Sequence, residues 1–177
     1  SNILLGFIYG TEGFYPPNGW SLNYTQISFT WPQIPNCVNY QLIINSDDTT
    51  HTVYDSTNLI IYGDGLNWDH SYSWQVCGFD TNDIPYCHNS LDFSILPLPS
   101  AFTHEIEIEI YNEDDIFLID GITIFNNEPW NISYALNKYG NPIWYVDFNY
   151  VDFLNNGNIT GFNTNVINLW QGKELNL

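Results

Sequence analysis

The stretch that most restricts the possible folds of this chain runs through residues 120–162. There, short runs of aromatic and β-branched residues alternate with segments rich in Gly and Asn. Residues 138–141 (KYGN) and 155–158 (NNGN) offer Gly and Asn where a tight turn requires a positive φ angle. Because each segment joins two strand-like runs, the pattern predicts hairpins. We therefore expect a meander of short antiparallel strands, at residues 134–137, 142–148, 150–154 and 159–162.

The composition extends this expectation to the whole chain. Aromatic residues make up 18% of the 177 residues, and aromatic and β-branched residues favour strands. No segment repeats its apolar residues with the 3.6-residue period of a helix. The length suffices for one large or two small cores. We predict an all-β protein with two tandem β modules, an N-terminal sandwich and a C-terminal antiparallel meander.

The charge of the chain excludes several classes of partner. Two Lys and Arg residues stand against 20 Asp and Glu residues, a formal net charge of −18 at pH 7. Nucleic acids and anionic membrane surfaces are bound by clustered Lys and Arg, and no apolar run approaches the ~20 residues of a membrane-spanning helix. We therefore expect no nucleic-acid binding, no membrane insertion, and a well-solvated extracellular protein, secreted or at the cell surface.

Residues 1–15 are a mostly apolar segment that ends at the breaker cluster Pro16-Pro17-Asn18-Gly19. Residues 2–10, NILLGFIYG, contain no charged side chain. One interpretation is an ordinary first strand. The other is a detachable strand that is exchanged between subunits, as in strand-addition assemblies.

Residues 16–96 contain strand patterns at the spacing of a sandwich, at residues 26–31, 38–45, 52–54, 59–62, 72–79 and 90–96. Characteristic aromatic and aliphatic positions among them are Trp31, Tyr40 in VNYQLII, Leu66, and Tyr72 and Trp74 in SYSWQV. Together they resemble a fibronectin type III-like domain, an immunoglobulin-like sandwich. The resemblance implies seven strands and a scaffold or adhesion role. We predict that Trp31, Tyr40 and Trp74 lie in the core.

The second module follows a Pro-rich linker. Residues 97–104 begin with Pro-Leu-Pro-Ser, which predicts a short, extended spacer. Residues 105–177 then form the antiparallel β module. Its first segment, EIEIEI at residues 105–110, predicts a half-buried strand with a charged outer face. We interpret the three carboxylates as protection of an exposed edge.

The order of the motifs DGITIF, YALNKYGNPIWY and LNNGN in this module resembles the opening of the arylsulfotransferase β-propeller. The resemblance covers about residues 116–172. It implies a first propeller blade and a secreted or periplasmic address. The catalytic histidines and arginine of that family lie in later blades, so the resemblance assigns no catalytic residue to this chain.

The three cysteines, Cys37, Cys77 and Cys87, leave one thiol over if two of them pair. On the sandwich interpretation Cys37 opens one strand, Cys77 ends the antiparallel neighbour, and Cys87 follows the hairpin. A Cys77–Cys87 or a Cys37–Cys87 bridge is compatible with this, contributing roughly 2–4 kcal/mol. We do not expect a nucleophilic pair of Cys87 and His88, because adjacent strand residues point to opposite faces.

Turn carboxylates are the candidates for a bound ion, and a structural Ca²⁺ is the one cofactor considered, since oxygen ligands suit it. They are Asp47, Asp48, Glu113, Asp114 and Asp115. The histidines, His51, His70, His88 and His104, have no zinc-ligand spacing. Candidate glycosylation sites with the pattern Asn-x-Ser/Thr are Asn23, Asn131 and Asn158.

These features predict a non-catalytic extracellular structural or adhesion protein. Its copies would associate through β-strand pairing into a surface filament or layer, so the expected partner is the chain itself. The alternative is the N-terminal portion of a secreted arylsulfotransferase-like enzyme, which transfers sulfuryl groups between phenolic compounds with catalytic residues outside this chain. A third hypothesis is glycan binding through exposed aromatic residues such as Trp20, Trp68 or Trp130.

Overall fold

The computed structural model describes residues 13–103, 123–127, 132–137, 140–147, 149–153, 159–163 and 171–175. Strands dominate these residues, and the prediction of an all-β protein is confirmed. The chain divides into two compact units, Ser1–Pro97 and Leu98–Leu177. Within the described residues, no helix is long and apolar enough to cross a membrane.

The first unit contains eight strands in its described residues: β1 Trp20–Leu22, β2 Ile27–Thr30, β3 Asn39–Asn45, β4 Thr50–Asp55, β5 Leu59–Tyr62, β6 His70–Phe79, β7 Pro85–Cys87 and β8 Leu91–Ile95. Six of them form one sheet in the order β1-β8-β6-β3-β4, with β7 added to β6. Strands β2 and β5 form a separate antiparallel pair. In the six-stranded sheet β1 runs parallel to β8, and the other pairs are antiparallel.

The strands of the first unit form where apolar residues alternate with polar ones. In β3, Tyr40, Leu42 and Ile44 are buried, and the residues between them are more exposed. Since a strand places every second side chain on the same face, these three point into the core. From the two-stranded sheet, Ile27 and Ile60 join the same core cluster.

The aromatic residues predicted to be in the core are confirmed there. Trp31, Tyr40 and Trp74 are each only 1% exposed. The rings of Trp31 and Tyr40 meet edge to face at 5.4 Å, and those of Phe29 and Trp74 at 5.3 Å. The buried indole of Trp74 donates a hydrogen bond from Nε1 to the carbonyl of Pro16, at 3.2 Å. Aromatic ring pairs with this edge-to-face geometry stabilise the core by more than the burial of their apolar surface alone.

Two of the eight strands in the described residues of the first unit, β1 and β7, have no counterpart among the six strands that the sequence pattern predicts in residues 16–96. Strands β1 and β7 have three residues each, and β7 is exposed along its whole length. Neither is long enough to show an alternation. Strand β7 is placed by its pairing with β6, in which Cys77 stands opposite Cys87.

The second unit contains six strands in its described residues: β9 Thr123–Asn127, β10 Ile132–Leu136, β11 Pro142–Val146, β12 Asn149–Phe153, β13 Ile159–Asn163 and β14 Gln171–Leu175. They form two three-stranded antiparallel sheets, β11-β10-β9 and β12-β13-β14. The predicted pairs on either side of both Gly-Asn segments are therefore present. Residues 138–139 and 155–158, and the predicted strand at residues 105–110, lie outside the described residues.

The predicted linker, residues 97–104, is not extended throughout. Ser100–Thr103 forms a 3₁₀ turn, in which the Phe102 N–H donates to the Pro99 carbonyl at 2.9 Å. The Phe102 ring packs edge to face on Tyr134 of β10, with centroids 4.9 Å apart. Phe102 itself belongs to the second unit, which begins at Leu98, and its apolar ring gains more from this contact than from solvent exposure.

Candidate functional site

The outer edge of β5 is a surface suited to bind another strand. Among the described residues, Leu59–Tyr62 pairs only with β2, through Ile27↔Tyr62 to Thr30↔Leu59. Within this part of the chain, the opposite side of β5 is therefore a sheet edge. An edge presents backbone N–H and C=O groups that a further strand can pair with.

The side chains of β5 make this edge apolar on both faces. Ile60 is buried in the core, while Leu59 is 47% and Ile61 62% exposed. The residues opposite them on β2, Thr30 and Ser28, are uncharged. The outer face of the two-stranded sheet thus combines two half-exposed aliphatic side chains with neutral neighbours.

The edge lacks the usual devices that prevent strand addition. Natural edges are commonly protected by Lys, Pro, a bulge or an inward-pointing charge, and Leu59–Tyr62 has none of these. Charge appears only beyond its ends, at Asp55 and Asp64. Hydrogen bonds from the Thr57 N–H (2.8 Å) and hydroxyl (2.9 Å) hold the pKa of Asp55 below its usual value, so this carboxylate stays ionised at neutral pH.

A hydrogen-bonded histidine fixes the end of β5 to the neighbouring sheet. His51 of β4 contacts the Tyr62 hydroxyl through Nδ1 at 2.9 Å and the Thr49 hydroxyl through Nε2 at 3.3 Å. A Cβ at Gly65 would lie 2.7 Å from the imidazole Cε1, so the ring lies directly against that glycine. These contacts hold the Tyr62 end of β5 in a defined position.

Of the five carboxylates considered for calcium, the structure describes two. Asp47 and Asp48 are exposed in the turn between β3 and β4, and Glu113, Asp114 and Asp115 lie outside the described residues. The part of the chain that the structure describes holds no group of three or more His, Cys, Asp or Glu side chains able to bind a metal ion.

The structure joins Cys77 and Cys87 by a disulfide bond, one of the two pairings that the sequence left open. Cys37 is a buried free thiol. Burial, and next the Asp80 carboxylate, raise the pKa of this thiol, so it stays protonated and poorly nucleophilic at neutral pH. The Cys37 sulfur lies against Gly78, the neighbour of Cys77, so all three cysteines lie near one end of the unit.

The remaining sequence candidates are dispersed. Asn23 is half-buried, whereas Asn131 and Asn158 lie outside the described residues. His88 packs against Phe14, with ring centroids 4.1 Å apart, and burial lowers its pKa. His70 and Trp20 are exposed, and Trp68 is partly buried against the core. His104 and Trp130 lie outside the described residues.

The sequence pattern predicted the strand β5 but not its position at the edge of a sheet. The signal that was available is the run Leu59-Ile60-Ile61-Tyr62, in which apolar residues do not alternate with polar ones. Such a run is typical of a strand covered on both faces. Among the residues that the structure describes, only one face of β5 is covered, and Leu59 and Ile61 are exposed on the other.

Comparison with known proteins adds no identification. No protein-family model matches the sequence, and no curated protein is similar to it. The resemblances to fibronectin type III-like domains and to arylsulfotransferases therefore stay predictions.

Proposed function

We propose that this chain is a non-catalytic structural subunit whose copies associate through β-strand pairing into an extracellular filament or surface layer. The observation that carries the proposal is the uncharged edge of β5, which is unpaired among the described residues. A strand from another copy would satisfy the backbone groups of that edge and cover Leu59 and Ile61. The Cys77–Cys87 disulfide supports an oxidising, extracellular setting.

A filament requires that the strand added to β5 be a different segment of the chain. Two β5 edges that pair with each other are both used up, and the result is a closed dimer. Head-to-tail growth needs a donor distinct from the acceptor. We assign the donor role to residues 2–10, which lie outside the described residues, because NILLGFIYG is uncharged, apolar and longer than the four residues of β5.

The balance of forces makes this association dependent on salt. Covering the exposed parts of Leu59 and Ile61 contributes roughly 1 kcal/mol each, and each added backbone hydrogen bond about 0.5–1.5 kcal/mol. Against this, every copy carries a net charge of −18. Because salt screens repulsion between exposed charges, we expect assembly to strengthen as NaCl is raised.

The test compares the same substitution at two exposed isoleucines. Ile61→Lys places a charge on the β5 edge. Ile84→Lys places the same charge on the loop before β7, where the native side chain is 50% exposed. Assembly of the full chain is followed by sedimentation velocity and electron microscopy over a range of protein and salt concentrations. A third variant lacks residues 1–10.

We expect wild-type and Ile84→Lys proteins to form elongated assemblies. We expect Ile61→Lys to need about tenfold more protein, which corresponds to roughly 1.4 kcal/mol per contact. The variant without residues 1–10 should remain monomeric. A wild-type chain that stays monomeric under all conditions, or equal assembly of the two Lys variants, would contradict the proposal.

A further inference from the structure

The inner face of β4 is less covered than the inner face of its neighbour β3. Val53 stands opposite Leu42 and His51 opposite Ile44, in a ladder without a bulge. Because residues opposite each other on paired strands share one face of the sheet, Val53 and His51 point to the same side as Leu42 and Ile44. Leu42 and Ile44 are fully buried in the core, whereas Val53 is only partly buried against it. Among the described residues, the cover over the six-stranded sheet therefore thins out at β4.

The cover at this place is supplied by β5, the last described strand of the two-stranded sheet. Tyr62 of β5 is partly buried against the core, and its hydroxyl forms a hydrogen bond of 2.9 Å with His51 Nδ1 on β4. On the other side of β5, β2 lies over the middle of the six-stranded sheet, because the Phe29 ring meets that of Trp74 on β6 at 5.3 Å. The two-stranded sheet thus extends from β6 towards β4. A further strand paired with β5 would lie over Val53.

The cleft between the β5 edge and the inner face of β4 has a connection between the two strands at each end. At one end residues 56–58 join β4 to β5, next to Asp55. At the other end is the hydrogen bond between Tyr62 and His51. Burial, and after it the nearby Asp64 carboxylate, raises the pKa of the Tyr62 hydroxyl. A carboxylate at each end disfavours an acidic occupant, and the aliphatic floor between them favours an apolar one.

The segment assigned above as the donor, residues 2–10, has the properties that this cleft requires. It is uncharged, and in an extended strand its side chains alternate between two faces. One face holds four large side chains, and the other holds both glycines. The large side chains are those of Ile3, Leu5, Phe7 and Tyr9. This face offers more apolar surface to cover Val53 than the other face does.

We propose that residues 2–10 of one copy enter this cleft of another copy with the large face turned inward, so that the central pair, Leu5 and Phe7, packs on Val53. The inference rests on the strand pairing proposed above, and it adds the second wall of the acceptor and the inward face of the donor. Since β5 has four residues, it provides two inward positions on a strand beside it. Burial of Leu5 and Phe7 at these positions gives the association its main apolar contact.

The first test changes each face of the donor in the full chain. Leu5→Ser combined with Phe7→Ser alters the inward pair, and Leu4→Ser combined with Ile8→Ser is the matched control on the outward face. Assembly is followed by sedimentation velocity, as for Ile61→Lys. We expect the inward pair to raise the protein concentration needed for assembly about tenfold or more above that of the control pair, as for side chains at the centre of an interface.

The second test changes the floor of the cleft. Val53→Ala shortens the floor residue, and Val38→Ala makes the same change just before β3, where the native side chain is 47% exposed. We expect Val53→Ala to need about three- to tenfold more protein for assembly, because methyl groups that contact the donor are lost. Val38→Ala should assemble as wild type does.

Urea unfolding of dilute, monomeric protein distinguishes a donor strand from an ordinary first strand. If residues 2–10 serve another copy, both serine pairs should leave the unfolding midpoint of the monomer unchanged. A midpoint lowered by the inward pair would place residues 2–10 in the core of their own copy and overturn the proposal.

The proposal is also overturned if the two serine pairs impair assembly equally, or if Val53→Ala assembles as Val38→Ala does. Either result, together with poor assembly of Ile61→Lys, leaves pairing at the β5 edge intact and refutes only the cleft. A wild-type chain that never assembles refutes both the cleft and the proposed function.

Discussion

Substitutions at Gly78 and Cys37 test how closely the core is packed at one end of the first unit. Gly78 lies in β6 between Tyr40 of β3 and Tyr86 of β7. A Cβ built on it would lie 2.7 Å from Cys37 Sγ, 3.0 Å from Cys37 Cβ and 3.0 Å from Ile34 Cδ1. These separations are shorter than van der Waals contact, so Gly78→Ala forces its neighbours apart. Overpacking of this kind costs about 1–3 kcal/mol.

Removing the sulfur should make room for the added methyl group. Cys37→Ala alone deletes one buried atom and is expected to cost about 1 kcal/mol. In the double variant the methyl group added at position 78 is relieved of its closest contact, although the contacts with the residue 37 Cβ and with Ile34 remain. We therefore expect the double variant to be more stable than the sum of the two single effects predicts, by roughly 1–2 kcal/mol.

The free energy of unfolding is measured by urea titration under non-reducing conditions. Tryptophan fluorescence includes a signal from the first unit, because Trp31 and Trp74 are buried in its core. Additive effects, within about 0.5 kcal/mol, would refute the packing of Cys37 on Gly78. The Cys37→Ala variant also tests the disulfide. A loss of about 4 kcal/mol, the loop-closure value for a bridge from Cys37 to Cys77 or Cys87 across 40 or 50 residues, would mean that Cys37 is bridged.

Three further predictions concern the same unit. Replacing both Cys77 and Cys87 by Ala should lower the free energy of unfolding by about 2.7 kcal/mol through the lost 10-residue loop restraint, measured by urea titration. Gly19→Ala should cost about 1 kcal/mol by the same assay, because the φ of +79° is unfavourable for Ala and nothing within 4 Å would obstruct its Cβ. Because burial lowers the pKa of His88 below 6.5, the unfolded chain binds the proton first as pH falls. The wild type should therefore lose stability relative to His88→Gln as pH falls below about 6.5, with no pH-dependent difference near pH 8, and a constant difference would contradict this.

The strands that carry an apolar alternation or a short apolar run could be predicted from the sequence because their signal is local. The bounds of β5, Leu59–Tyr62, agree with the prediction, and β3 differs from it by one residue. Strands β1 and β7 could not be predicted, because three-residue strands owe their position to partners that are distant in sequence. Trp20 finds Phe93, and β7 is held by the Cys77–Cys87 bridge.

The candidate sites depend even more on distant contacts. The breaker cluster before Trp20 is visible in the sequence, but its hydrogen bond from the Asp92 N–H to Asn18 spans 74 residues. No local pattern in the sequence reports that pairing. The edge of β5 is hidden for a similar reason. Whether β5 is an edge depends on whether a second strand pairs beside it, and a local sequence pattern indicates the strands but not how they pair.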